Sequence, residues 1–289
     1  MIKNLFLITN TTCNQSCTYC YYNIGAEKRI KGFLNPKLLK KFLDTKIRRI
    51  SITGGEPLIN PHLDEYLKIA RGFSNNIALS TNGKLLTKEK IKYLKKMDVK
   101  RIFISLDDIN ANLQNKLRSD SKKSTLKAIN YLKNSEVETT VTMVVTSYNI
   151  DNIFEVQEYC IRNNCKFWPQ PIYLSKKSKQ YQDFSLQSIG KKKWKKLINS
   201  VPKKLLNTKG AEFLKKYYKI FIDNEQTKNI QCPFKDKQLV INANGDIKLC
   251  FHSKPIANIK NRKLSQIVNA KSFQNNRKCF NEQCFQYLI

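Results

Sequence analysis

The stretch KNLFLITNTTCNQSCTYCYY, residues 3–22, runs from a short apolar segment straight into three cysteines, Cys13, Cys17 and Cys20, with no fourth close by. A structural zinc site or a closed iron–sulfur cluster takes four protein ligands. The spacing C-x3-C-x2-C therefore leaves one coordination position that this loop does not fill. The apolar run 3–9 predicts a strand. In parallel α/β sheets functional groups collect where strands end at their C-termini, and that is where this order places the cysteines.

Outward from this stretch the pattern repeats. Strands are predicted over 48–53 (RRISIT), 76–81 (NIALST), 101–106 (RIFISL), 138–146 (ETTVTMVVT) and 166–172 (KFWPQPI). Helical stretches separate them, with start signals at Asn35–Pro36 and Asn60–Pro61 and a stop signal at Gly72. Strands alternating with helices pair in parallel through right-handed crossovers. Six such units are too few for a complete eight-stranded barrel of about 250 residues. The expected fold class is α/β, a partial (β/α)6 TIM-like barrel over residues 1–175. Residues 176–228 turn lysine-rich, with Trp194, Leu197, Phe213, Leu214 and Tyr217 at helical spacing, and read as bridging helices. QLVINANGDIKLCFH, 238–252, predicts two strands around an Asn244–Gly245 type I′ turn. It opens a small, separate C-terminal hairpin/helix domain over 229–289.

Composition bounds the function. Of the 289 residues 41% are hydrophobic, enough for a sizeable core. No apolar run approaches the roughly 20 residues of a membrane span. The N-terminus MIKNLFLITNTTC is too short in its apolar part for a signal peptide, so a cytoplasmic location is expected. Net charge is +31, from 53 basic and 22 acidic residues. Abundant lysine, asparagine and isoleucine match the bias of an AT-rich genome. The resulting field nonetheless suits anionic cofactors, acidic peptides or RNA phosphates. No aromatic-rich RNA module accompanies it, so nucleic acid is not the expected partner. Nine clustered cysteines in a chain without an export signal point to metal or catalysis, not to disulfides.

The run Cys13-Asn-Gln-Ser-Cys17-Thr-Tyr19-Cys20, with its aromatic before the last cysteine, is followed after the second strand by Gly54-Gly55-Glu56-Pro57. Together they resemble the radical S-adenosylmethionine (radical SAM) family, over residues 3–173. The resemblance implies a [4Fe–4S] cluster on Cys13, Cys17 and Cys20, with S-adenosyl-L-methionine chelating the fourth iron. It further implies that Gly54, Gly55 and Glu56 handle the methionine amino group. Ser105 would contact the ribose, with Asp107 near it, and Tyr19 would stand on the cofactor side. Arg118 would pair the methionine carboxylate, although Ser119 stands where the family has glycine. Asn82 is either an adenosine-side contact or a turn residue before Gly83.

Near the C-terminus Cys232 and Cys250 form C-x12-G-x4-C through Gly245, and Cys279 and Cys284 form C-x4-C. This resembles the Twitch domain, a shortened SPASM domain, and implies a second, auxiliary [4Fe–4S] cluster closed by four thiolates. Zinc on the same four cysteines is the alternative. Cys160 and Cys165 are left over. They are core residues or, on the sharper reading, a thiol that returns hydrogen to a substrate radical. His62 and His252 read as surface or packing residues. Trp168, Gln170 and Tyr173 line the barrel mouth by position.

A closed auxiliary cluster can accept the second electron of an oxidation. The expected function is therefore net oxidation, by dehydrogenation or cross-linking, of a ribosomally synthesised peptide. Carbohydrate or aminocyclitol dehydrogenation, peptide epimerisation, RNA modification and plain electron carriage are the alternatives. A flavodoxin- or ferredoxin-type reductant is implied. With the first strand starting at residue 3, leader recognition is expected from a separate protein.

Overall fold

The computed structural model describes residues 2–24, 28–174, 180–223 and 237–270. Strands β1 (Asn4–Ile8), β2 (Arg49–Thr53), β3 (Ile77–Thr81), β4 (Val99–Ser105), β5 (Glu138–Val145) and β6 (Lys166–Pro171) lie where the sequence puts them, to within two residues. Helices α1 (Pro36–Phe42), α2 (Leu63–Phe73), α3 (Lys88–Lys96), α4 (Ala111–Arg118), α5 (Lys122–Lys133) and α6 (Ile153–Arg162) connect them. Neighbouring strands pair in parallel in the order β6-β5-β4-β3-β2-β1, the partial barrel expected.

Period-two alternation sorts each strand. Ile50, Ile52, Ile102, Ile104 and Val141 are fully buried in one apolar cluster with Leu67 of α2, Leu94 of α3 and Ile129 of α5. Each such side chain contributes about 1.5–3 kcal/mol on burial. The opposite, inner face carries Ser51, Phe103, Ser105, Thr140, Thr142 and Trp168. It is polar enough to receive a ligand.

Two helix signals act differently from expectation. Asn35 caps α1 as predicted, accepting from the N–H groups of Lys37 (2.9 Å) and Leu38 (3.2 Å) with Pro36 at the first position. Asn60 caps only through its Oδ1, which accepts from His62 N–H (2.9 Å), while its amide turns inward toward the Thr9 carbonyl (3.4 Å), and α2 starts at Leu63. Gly72 does not stop α2 but lies inside its last turn, ahead of Ser74 at the cap.

The C-terminal hairpin is not separate. β7 (Gln238–Ile241) pairs in parallel with β1, and β8 (Asp246–Lys248) and β9 (Pro255–Asn258) follow antiparallel, giving one nine-stranded sheet. All four residues of β7 are buried, and the open flank of β1 supplies the partner they need. The turn is also not type I′, because only Gly245 takes positive φ (+87°). The Gly245 N–H bonds to the Asn242 carbonyl (2.8 Å) and the Asn242 N–H to the Asp246 carbonyl (2.9 Å). That is a three-residue loop ending in a left-handed glycine.

The bridging segment forms α7 (Tyr181–Phe184), α8 (Lys191–Asn199) and α9 (Lys209–Tyr217). Trp194 stacks on Tyr217, ring centroids 5.2 Å apart, and α9 packs on β6. β6 is the outermost strand and carries Pro169 and Pro171, which a central strand does not tolerate. Among the described residues no helix is long and apolar enough to cross a membrane.

Candidate active site at the strand ends

The cysteine loop leaves β1 and is held from two sides. On the first side the turn after β2 touches it backbone to backbone. Gly55 N–H donates to the Asn10 carbonyl (2.7 Å) and Glu56 N–H to the Thr12 carbonyl (2.9 Å). The contact requires glycine, because a Cβ on Gly55 would stand 2.0 Å from the Thr12 oxygen and one on Gly54 2.5 Å from the Asn10 oxygen. Asn10 completes the joint, its side-chain amide donating to the carbonyls of Thr12 (2.8 Å) and Glu56 (3.3 Å).

Glu56 is fully buried. Its carboxylate accepts from the Thr81 hydroxyl (2.7 Å), Leu58 N–H (3.0 Å) and Asn82 N–H (2.8 Å). Three of its roughly four acceptor positions thus tie the ends of β2 and β3 together, so the side chain braces the site from behind. Burial pushes its pKa up, against the pull of these hydrogen bonds. Asn82 reaches the cysteines: its amide donates to Asn14 Oδ1 (2.7 Å) and toward Cys13 Sγ (3.7 Å). Its Oδ1 also accepts from Lys84 N–H (2.9 Å), the turn role before Gly83.

On the second side, the end of α4 receives the loop. Thr18 N–H donates to the Leu117 carbonyl (3.0 Å) and Ser16 N–H to the Ser119 hydroxyl (2.8 Å). Ser119 sits at φ +48°, a left-handed conformation, which is why glycine suits this position. The serine exchanges backbone ease for a bond to the cysteine loop. Ser119→Ala should therefore lose about 1 kcal/mol of stability. Ser119→Gly should come out near neutral, because relief of strain offsets the lost bond. Denaturant midpoints of the two variants check this, and equal losses in both would contradict it.

Between the two clamps lies a buried polar cluster. Arg118 Nε donates to Asp107 Oδ2 (2.8 Å), the Tyr19 hydroxyl donates to the same oxygen, and Val144 N–H donates to Oδ1 (2.9 Å). Arg118 Nη1 points at Cys17 Sγ (4.0 Å), and its guanidinium lies over the Tyr19 ring, 5.6 Å from the centroid. Arg118 was expected to face a methionine carboxylate. The fold gives its Nε to Asp107, leaving Nη1 toward the cysteine loop. Ser105, half-buried at the end of β4, opposes Thr142 on the inner face.

Three thiols on one loop are the donor chemistry of an iron–sulfur cluster with one iron left open; among the described residues no three Cys, His, Asp or Glu side chains converge as one metal ion requires. Burial raises the pKa of Cys13, and it pushes Cys17 up to about 11 against the opposing charge of Arg118. Buried thiols of this kind become thiolates on meeting a cationic centre. Gln15, 6% exposed, has a buried Nε2 without a hydrogen-bond partner, a donor that a ligand in this loop would satisfy.

Of the second cysteine group, Cys250 follows β8, while Cys232, Cys279 and Cys284 lie outside the described residues. Cys250 is brought toward the first loop by an aromatic stack that sequence reasoning missed. The Tyr21 hydroxyl shares a 2.6 Å hydrogen bond with His252 Nδ1, and the Tyr173 and His252 rings lie 4.0 Å apart. The stack joins the loop after β1, the end of β6 and the turn after β8. His252 is thus a packing residue, as expected, while His62 bonds to Glu65 on the surface (2.8 Å). Cys160 and Cys165 are not brought to the site. Cys165 N–H bonds to the Cys160 carbonyl (2.9 Å) ahead of β6, at the opposite end of the strands. Burial pushes the Cys165 thiol up to about 11 and Cys160 higher still. This position argues against either thiol as the hydrogen donor.

Comparison with known proteins adds the following. Residues 7–160 match the Radical SAM superfamily model, and residues 232–286 match a model described as an iron–sulfur cluster-binding domain, SPASM. The chain is 31% identical over 265 residues to the uncharacterized protein MJ0907 of Methanocaldococcus jannaschii, covering 86% of this chain and 85% of that one. It is 33% identical over 156 residues to a GTP 3',8-cyclase of Helicobacter pylori, covering 51% of this chain and 48% of the cyclase. The chain thus spans about half the length of the cyclases it matches. Among solved structures, anSMEcpe with bound AdoMet superposes with TM-score 0.70 at 16% identity, covering 100% of this chain and 87% of that chain. Streptococcus suis SuiB bound to precursor peptide SuiA gives 0.69 at 15%, covering 95% and 66%. At such identities the structural likeness speaks to the fold.

Proposed function

The chain belongs to the radical SAM superfamily, and from that premise we propose that it is an oxidoreductase, or maturase, acting on a ribosomally synthesised peptide. Its family matches imply [4Fe–4S] clusters and S-adenosyl-L-methionine. Cys13, Cys17 and Cys20 would hold the first cluster, and Cys232, Cys250, Cys279 and Cys284 the auxiliary one. With these bound, the chemistry supplied is reductive cleavage of the sulfonium to a 5′-deoxyadenosyl radical, which takes hydrogen from the substrate.

The residues of this chain orient and shield. Gly54, Gly55 and Asn10 fix the loop, and Ser119 and Leu117 fix its far side. Asn82 and Arg118 place donors on the sulfurs of Cys13 and Cys17, which lowers the cost of negative charge there. Tyr19, with Leu117, Ile172, Leu174 and Phe184, forms a separate apolar cluster that keeps water from the loop. The single observation that carries the reading is this loop of three thiols, held from both sides at the C-terminal ends of parallel strands. Oxidation is supported by the second cysteine group, which would provide an electron acceptor. A peptide is supported by the net charge of +31, which favours acidic leader segments.

In the test, anaerobically reconstituted protein receives dithionite and S-adenosylmethionine, and a candidate short precursor peptide is co-expressed with it and weighed by mass spectrometry. The expected result is 5′-deoxyadenosine together with a peptide lighter by two hydrogens. A redox-neutral product, or turnover supported only by a sugar or aminocyclitol, would overturn the peptide-oxidation reading.

A further inference from the structure

The opposite ends of the same strands hold a second concentration of charge. Arg49 and Arg101 on β2 and β4, Glu138 and Lys166 on β5 and β6, and the aromatic pair Phe103 and Trp168 border a cleft of about 610 Å³. Its carboxylates are already matched. Glu138 takes both Arg101 and Lys166, the latter at 2.8 Å. Glu212, on the α9 side of the cleft, takes Lys209 (2.8 Å) and Lys216 (2.7 Å).

Arg49 is left over. Among the described residues no carboxylate lies within ion-pair distance of it, and its Nε is buried without a hydrogen-bond partner. The Nε1 of Trp168 is likewise buried and unpartnered. An unpaired guanidinium beside a second arginine is costly, and two buried donors facing one cleft add to that cost. Burial first, and the like charge of Arg101 second, pull the Arg49 pKa down, with the charge of Glu138 only partly opposing them. A carboxylate or phosphate on the Arg49 guanidinium would offset the like charge of Arg101, and a shift of the two side chains would bring the buried Arg49 Nε and Trp168 Nε1 onto its oxygens. Phe103 and Trp168, with ring centroids 5.5 Å apart, give the cleft an apolar wall.

We propose that this cleft is a binding site for an oxyanion, phosphate or carboxylate, carried by a partly apolar molecule, with Arg49 as the anchor and Trp168 Nε1 as a second donor. Arg101 and Ser105 lie four residues apart on β4, about 13 Å at a strand's rise. To act as substrate, a molecule anchored here would have to reach along the inner face, past Phe103, to meet the cysteine loop. That it is the substrate rests on the function proposed above; that the cleft binds an oxyanion does not.

The test is calorimetry of the reconstituted full chain with inorganic phosphate in one arm and succinate in the other, at ionic strength held constant with sodium chloride. Tryptophan fluorescence locates the event, because the only other tryptophan, Trp194, is wholly buried against Tyr217. Saturable binding in one arm is expected, with a fluorescence change that Trp168→Phe removes. Arg49→Gln should weaken binding roughly ten- to a hundredfold. Glu138→Gln should tighten it by freeing Arg101 and Lys166, and this arm decides if Arg49→Gln fails to fold. The stronger arm tells phosphate from carboxylate. Heat that follows ionic strength alone, or affinity indifferent to both substitutions, overturns the proposal. Anion binding with an unmodified precursor peptide would retain the site and remove only the peptide reading.

Discussion

Gly55→Ala is expected to abolish S-adenosylmethionine cleavage while most of the barrel stays folded. The added Cβ would sit 2.0 Å from the Thr12 oxygen and 2.5 Å from the Thr12 carbonyl carbon. These are backbone atoms, which cannot swing aside as a side chain can. One of the two segments has to move, and the loop is the less constrained. Its bonds from Gly55 and Glu56 to Asn10 and Thr12 are lost together, at about 1 kcal/mol each. Overpacking adds about 1–3 kcal/mol. A displacement of 1 Å at a reacting centre costs about a hundredfold in rate, and here the cysteine loop itself is displaced. Iron per chain and 5′-deoxyadenosine formed per minute should both collapse, with the far-ultraviolet spectrum little changed. Gly72→Ala is the control, since nothing stands within 4 Å of a Cβ there. Normal iron content and turnover in Gly55→Ala would mean that the glycine contact does not position the loop.

The second large effect concerns Asp107. Its carboxylate is fully buried and accepts from Arg118, Tyr19 and Val144. Asp107→Asn keeps the size but removes the charge, leaving Arg118 buried beside a neutral amide. Breaking one side of a buried ion pair costs about 3–5 kcal/mol. Arg118→Met alone should cost a similar amount, for the converse reason. The double variant should recover much of the loss, because no uncompensated charge remains. Urea denaturation of the four proteins gives the coupling directly. Strictly additive losses would show that the pair is not the central contact of this cluster.

The barrel was legible because parallel strands buried on one face read as short apolar runs bounded by turn residues, as RISIT and RIFIS do. The cysteine triad and the glycine pair were legible through spacing. That both follow neighbouring parallel strands already sets them face to face; which atoms touch was not legible, since the contact runs through the main-chain carbonyls of Asn10 and Thr12, which any sequence has. Arg118 was found as a residue but not with its partner: only the fold brings β4, α4 and the cysteine loop around Asp107. The Asn244–Gly245 pair misled as to turn type, because Asn-Gly serves both a two-residue loop and the last two places of a three-residue one. The hairpin looked separate because its partner, β1, is more than 200 residues away in the chain. The positions of Cys160 and Cys165 needed the strand direction, which places them at the wrong end for the chemistry.

The two prolines of β6 carry a consequence for how this sheet meets other molecules. Every outermost strand offers a template onto which a further extended chain can zip by main-chain pairing. Pro169 and Pro171 withdraw two amide hydrogens from the flank of β6, beside the cleft that holds Arg49. An extended polypeptide lying there would be recognised through its side chains and termini. The backbone carbonyls of such a segment would find no donor at these two positions, and repeated copies of this chain would not stack edge to edge into ribbons along it.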